Sequence, residues 1–277
     1  MSNFFGRDRF KEGPGVEKDA PALTPIKQMF AIFARKFWYF VRFNFLYVLV
    51  SIPGLTLSVL ISWLMLNNLT KTIDNPDILL YLYNALGVFF VIIPAVAIGP
   101  FQAGLTYILR SFAREEPVFM WSDFFDTIKK NWKQSLIVGI INAAVITIIA
   151  LDLLVYTNME MNPYLKAALF GFIMFILVIF LIMQMYIYPM LITFKLTLRQ
   201  LYKNAFLFSL IKFVPNFGLL LISAALVILG FLGYSFVIGV FLYIIILPAF
   251  VGFMNMSFAY GTLKKYMIDN DSAEIKN

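Results

Sequence analysis

The chain has 277 residues, 61% of them hydrophobic and only 13% charged, with a formal net charge of +7 and a mean hydropathy of +0.85. A soluble domain carries about 25% charged residues, so this composition fits residence in lipid rather than a soluble fold. There is no cysteine and no histidine, which removes disulfides, thiolate nucleophiles, Cys-ligated metals, the commonest general base and the commonest transition-metal ligand.

Residues 1–24 are polar and mixed in charge, with Gly13, Pro14, Gly15 and Pro21 among them. They are expected to form a disordered tail and do not read as a cleavable signal peptide. Ile26, Met29, Phe30, Phe33, Phe37 and Phe40 then recur at helical spacing beside Lys27, Arg35 and Lys36, an interfacial amphipathic pattern.

Span 1 is expected over Phe45 to Leu66, with Pro53-Gly54 near its middle. A short segment carrying Lys71, Asp74 and Asp77 follows. Span 2 lies within Leu79 to Leu109, a run too long for one straight crossing at 1.5 Å per residue, so Pro94 and the Gly99-Pro100 pair are expected to bend it. After the charged run RSFAREEP, a second amphipathic helix starts at Ser122. It places Phe124, Phe125, Ile128 and Trp132 on one face, with Trp121 just before.

Span 3 is expected over Ser135 to Tyr156 and span 4 over Ala167 to Phe194, joined by TNMEMNPYLK. Leu198, Leu201, Tyr202 and Ala205 form a third amphipathic stripe beside Arg199 and Lys203. Spans 5 and 6 occupy Phe217 to about Met256, turning near Gly230 to Ser235. The expected organisation is thus all-α: a cytoplasmic tail at 1–24, one six-helix membrane domain at 25–260, built as three hairpins, and a cytoplasmic tail at 261–277.

Charge sets the orientation. Eight cations precede span 1, five lie between spans 2 and 3, four between spans 4 and 5, and three in the C-terminal tail; only Lys71 and Lys166 fall elsewhere. Cytoplasmic segments keep Lys and Arg, so an even number of spans with both termini inside the cell membrane is expected. Trp38, Trp121 and Trp132 gather at the same face as an aromatic belt. The cations flank spans rather than striping a soluble surface, so membrane lipid is the expected partner and nucleic acid is not. Each returning span carries a proline (Pro94, Pro189, Pro248), and IIPAVAIGPF is similar to IILPAFVGF. Two readings stay open: a pseudo-repeat of hairpins, or the ordinary frequency of proline in membrane helices.

Within the spans only Asp152 is acidic, about 26 Å along its helix from Ser135 and so near the outer interface. No span has a charge at its midpoint, which weighs against ion-coupled antiport. Asn84, Gln102, Asn142, Gln184 and Asn255 are the uncharged polar groups in or beside spans. They serve either as interhelical hydrogen bonds or, for Asn84, Gln102, Asn142 and Gln184, as the lining of a polar cavity for a neutral solute. Ala95, Gly99 and Ala103 recur every fourth residue, a face that admits a neighbouring helix closely.

Arg110, Arg114, Glu115 and Glu116 form the densest charge cluster. It reads equally as a docking surface for a cytoplasmic partner, together with Trp121, Asp123, Phe124 and Trp132, or as a local ion-pair network fixing the turn. No catalytic constellation, cofactor motif or metal set occurs: HExxH, a Ser-His pair and GxxxxGK[ST] are all missing, and a two-Asp intramembrane site has only Asp152. An enzyme is not expected.

The run PAVAIGPFQAGLTYILRSFAREE, then WSDFFDTIKKNWKQS and an apolar span, between Pro94 and Asn142, resembles the YesL family of bacterial integral membrane proteins. LRQLYKNAFLFSL before span 5 adds to the likeness, whereas the polar N-terminal extension of about 20 residues departs from it. The resemblance implies no catalytic or ligand residues, since that family has no established biochemical activity. It does imply an association with carbohydrate ABC importers. The leading expectation is therefore a non-enzymatic accessory subunit contacting ABC permease subunits. Its rivals are a small-solute transporter or channel, and a membrane sensor or scaffold that binds a soluble partner through its tails.

Overall fold

The computed structural model describes residues 24–72, 96–232 and 236–268, and among these every regular element is helical. Helix α1, Pro25–Arg35, starts with proline, whose missing N–H costs nothing in a first turn, and ends on Arg35, which favours the negative helix end. The chain breaks at Lys36 and continues as α2, Phe37–Thr72, which runs through Pro53 without ending. Residues 96–113 form α3. Then come α4, Met120–Asn158, and α5, Pro163–Thr193. Helices α6, Leu198–Ile211, and α7, Phe213–Leu232, are followed by α8, Phe236–Ile245, and α9, Leu247–Leu263, with a π turn over Lys264–Ile268.

Local chemistry explains several starts. Asn162 Oδ1 accepts from the Tyr164 N–H at 2.9 Å, and Pro163 opens α5. Thr197 and Gln200 form a capping box that starts α6.

Among the described residues, three helices are long and apolar enough to cross a membrane: α2 over Phe37–Met65, α4 and α5. The count rises to five if the bent pairs α6–α7 (94°) and α8–α9 (53°) each make one span. Only 22% of the most apolar window of each long helix is buried. Side chains such as Leu49, Leu60, Ile148, Phe172 and Phe175 point outward, as expected where lipid is the solvent.

Two cores hold the helices. One centres on Ile182, Tyr186 and Met190 of α5 with Leu201 and Ala205 of α6, and takes in Val138 of α4 and Leu263 of α9. The other is aromatic: Phe40 lies 4.8 Å from Phe253 and 5.1 Å from Phe112 between ring centroids, with Phe124 of α4 fully buried nearby. Helix α9 contributes to both.

One expectation changes, and the structure bears on two others. The amphipathic segment from Ser122 is not a separate interfacial helix. It is continuous with span 3 as the 39-residue α4, because no Gly or Pro interrupts the run before Gly139. Gly99-Pro100 does not break α3, which is helical on both sides of the pair. The repeating prolines are not equivalent either: Pro189 lies within unbroken α5, whereas Pro248 opens α9 after the break at Ile246. The third amphipathic stripe has Leu201 and Ala205 buried and Arg199 and Lys203 exposed, with its buried side packed against α5. Pro94, Asn84, Ala95, both expected tails up to residue 23 and from 269, most of span 2, and residues 233–235 of the last turn lie outside the described residues.

Candidate functional site

The charge cluster stands where α3 stops. The Glu115 N–H donates to Phe112 O at 3.1 Å and the Glu116 N–H to Ser111 O at 2.9 Å, the paired pattern that closes a helix C-terminus. That closure requires a left-handed residue, and Glu115 takes the position with φ 56°. Glycine normally sits there, since a side chain at that conformation costs about 1 kcal/mol. Pro117 then keeps the chain from resuming a helix at once.

Glu115 is ion-paired to Arg35 of α1, and Arg114 to Glu116 at 2.8 Å. Past the turn, Asp123 Oδ2 accepts from the Phe119 N–H at 2.9 Å, placing a carboxylate in the first turn of α4, where the helix dipole favours it. At the α1–α2 break, partial burial and then the neighbouring Arg35 pull the Lys36 ammonium below the ordinary lysine pKa, against the opposing pull of Glu115.

Of the expected docking residues, two turn inward. Arg110 is only 8% exposed. It donates to Thr193 Oγ1 at 3.1 Å and to Ile192 O at 3.4 Å, with its guanidinium 4.8 Å from the Tyr107 ring centroid. It thereby satisfies carbonyl and hydroxyl groups at the C-terminal end of α5, where a cation is favoured. Phe124 is fully buried against α3. The residues left at the surface are Arg114, Glu115, Glu116, Trp121 (59% exposed) and Trp132 (48%), with Phe119 and Phe125 exposed beside them. Asp123, half-buried, holds the turn.

The amides divide. Asn142 of α4 and Gln184 of α5 exchange hydrogen bonds at 2.8 and 3.2 Å, and the Tyr202 hydroxyl donates to Asn142 Oδ1 at 3.0 Å. Gln184 also lines a cavity of about 250 Å³ with Gln102 and Asn255. Thr106 and Ser223 complete its polar wall, with Ser223 Oγ donating to Asn255 Oδ1 at 3.1 Å. Among the described residues the wall carries no charged side chain, so this part of the cavity suits a neutral polar molecule. Asp152 is exposed near the end of α4.

Two buried amides were invisible as site residues. Asn44 bridges the α8–α9 break, donating to Tyr243 O and Ile244 O and accepting from the Ala249 N–H. Asn216 does similar work at the α6–α7 bend, donating to Phe208 O at 3.0 Å and accepting from the Tyr186 hydroxyl at 2.7 Å. A lone Asn beside an apolar run that faces a helix break is the signal to look for.

These features define a helical protein with several membrane-length segments, a small uncharged polar cavity, and one charge-clamped end. Residues 40–153 match the family model described as "Protein of unknown function, DUF624". No curated protein and no solved structure matches the chain. Among the described residues no group of His, Cys, Asp and Glu could hold a metal ion.

Proposed function

We propose that this is a YesL-like cell-membrane protein of six spans with both termini in the cytoplasm, acting without catalysis as an accessory subunit of a carbohydrate ABC uptake system. The orientation rests on the distribution of Lys and Arg, and the carbohydrate assignment on the resemblance alone. The observation that carries the docking role is the exposed aromatic face of Phe119, Trp121, Phe125 and Trp132, mounted on a turn that two ion pairs and the Asp123 cap hold in place. Rigid, partly exposed aromatics beside fixed charges are what a protein partner engages most strongly. The test is copurification from native membranes: permease subunits should accompany the wild type and be lost from Trp121→Ser/Trp132→Ser. Recovery of the chain alone in mild detergent contradicts the proposal.

A second reading has its own observation. Gln102, Gln184 and Asn255 converge on the uncharged cavity, as a conduit for a small neutral solute requires. Solute counterflow into proteoliposomes, abolished by Gln102→Leu/Gln184→Leu, would support it. Absence of counterflow across a panel of neutral polyols and sugars would remove it.

A further inference from the structure

A second, larger pocket of about 570 Å³ opens where α1, the end of α3 and the end of α9 meet. It is lined by Arg114 and Lys264 as cations, with Glu116 as the one acid among the described lining residues, and Glu116 is already bound by Arg114 at 2.8 Å. The local balance is therefore cationic. Two hydroxyl residues, Ser257 and Tyr260, face the same space, and Ser257 Oγ is buried with no hydrogen-bond partner. A buried hydroxyl left unsatisfied is destabilising, and rotation of the Ser257 side chain toward the pocket would give it a ligand oxygen as partner. Part of the lining is apolar, formed by Met29, Ile32 and Ala113.

We infer that this pocket binds the phosphate headgroup of an anionic phospholipid. Arg114 and Lys264 face the phosphate, Ser257 donates to one of its oxygens, and the apolar wall takes the glycerol and the first acyl carbons. Basic pockets between membrane helices recognise headgroups in this manner. A soluble anion has no use for the apolar wall, which is why the lipid is favoured over free phosphate. The site shares the Arg114–Glu116 pair with the turn that mounts the aromatic face but includes none of its rings, and it stands apart from the uncharged cavity, so it does not depend on either functional reading.

The test uses the full chain in neutral detergent, with melting temperature and native mass spectrometry as readouts and with phosphatidylglycerol, phosphatidylcholine or inorganic phosphate added. Phosphatidylglycerol should stabilise and remain bound where phosphatidylcholine does not. Lys264→Gln should weaken that binding by about fivefold, the effect of one surface cation on an anionic lipid, and Ser257→Leu should block it by filling the pocket. Glu116→Gln removes the opposing charge and should strengthen binding, an outcome that misfolding cannot produce. Lys130→Gln, on α4 and outside this pocket, should change nothing. Equal affinity for the two lipids, equal stabilisation by inorganic phosphate alone, or equal loss in Lys130→Gln would each overturn the assignment.

Discussion

The side chain of Asn44 accepts from the Ala249 N–H at 2.9 Å while donating to the carbonyls of Tyr243 and Ile244 at 2.7 and 2.8 Å. Pro248 has no N–H to offer the Ile244 carbonyl four residues earlier, so the break between α8 and α9 leaves backbone groups unpaired in an apolar setting. Asn44, itself fully buried on α2, supplies the missing partners. A broken helix is tolerated at membrane depth only when a neighbour re-satisfies its backbone in this way.

Asn44→Leu should therefore destabilise by about 3 kcal/mol, since it orphans buried donors and acceptors together. Pro248→Ala restores one intrahelical donor. The double variant should lose less than the sum of the two single changes, read as non-additivity in equilibrium unfolding in detergent. Strict additivity would mean that Asn44 and the break are unconnected.

The Asn142–Gln184 pair gives a second prediction. Asn142→Leu removes the partner of Gln184 and leaves the Tyr202 hydroxyl only the long 3.5 Å contact to Val138 O, whereas Gln184→Leu leaves Tyr202 its closer acceptor. The first should be the more destabilising. A double-mutant cycle should give a coupling of about 0.6 kcal/mol, the average for such bonds between membrane helices.

At the α3–α4 turn, Glu115→Gly and Glu115→Ala both remove the ion pair to Arg35, but only glycine relieves the φ of 56°. The Gly variant should be the more stable of the two by about 1 kcal/mol in thermal unfolding. Equal stabilities would show that the left-handed turn is not retained.

Helix spacing supplies a further test. A Cβ on Gly99 would lie 2.8 Å from Ser135 O, and one on Gly104 2.8 Å from both the Phe124 ring and its carbonyl, so α3 touches α4 through bare backbone. Gly99→Ala and Gly104→Ala should each cost about 1–3 kcal/mol by forcing the helices apart. Gly171 on α5 has nothing within 4 Å, and Gly171→Ala should be neutral or stabilising through helix propensity.

Some of this was legible in the sequence for plain reasons. The apolar runs of α2 and α5 exceed membrane length, and the four-residue spacing of Gly99 and Ala103 marked the contact with α4 that the Gly99 approach displays. Asn44 and Asn216 escaped because each stands one residue before an apolar run and looked like a flank. The partners of Asn44 are backbone groups exposed by a break 199 to 205 residues away, and Asn216 joins the Phe208 carbonyl at the adjacent bend to the distant Tyr186 hydroxyl; no local pattern encodes either. Arg110 and Arg114 share a helix face by spacing, yet one turn separates a residue tied to the end of α5 from one at the rim. Periodicity reports a face; it does not say where along that face the neighbouring helix ends. The α6–α7 and α8–α9 bends were equally hidden, since each depends on a side chain that patches it from outside the break.

In the orientation proposed from the distribution of Lys and Arg, α1, the α3–α4 turn, α6 and the end of α9 all stand on the cytoplasmic face. The chain contains no cysteine, so single cysteines report topology cleanly. Lys27→Cys, Ser122→Cys, Lys203→Cys and Lys265→Cys, all at exposed positions, should react with a membrane-impermeant maleimide only after permeabilisation. Asn162→Cys, between α4 and α5, should react in intact cells. Labelling of Ser122→Cys from outside, or opposite behaviour of Lys27→Cys and Lys265→Cys, would contradict the account.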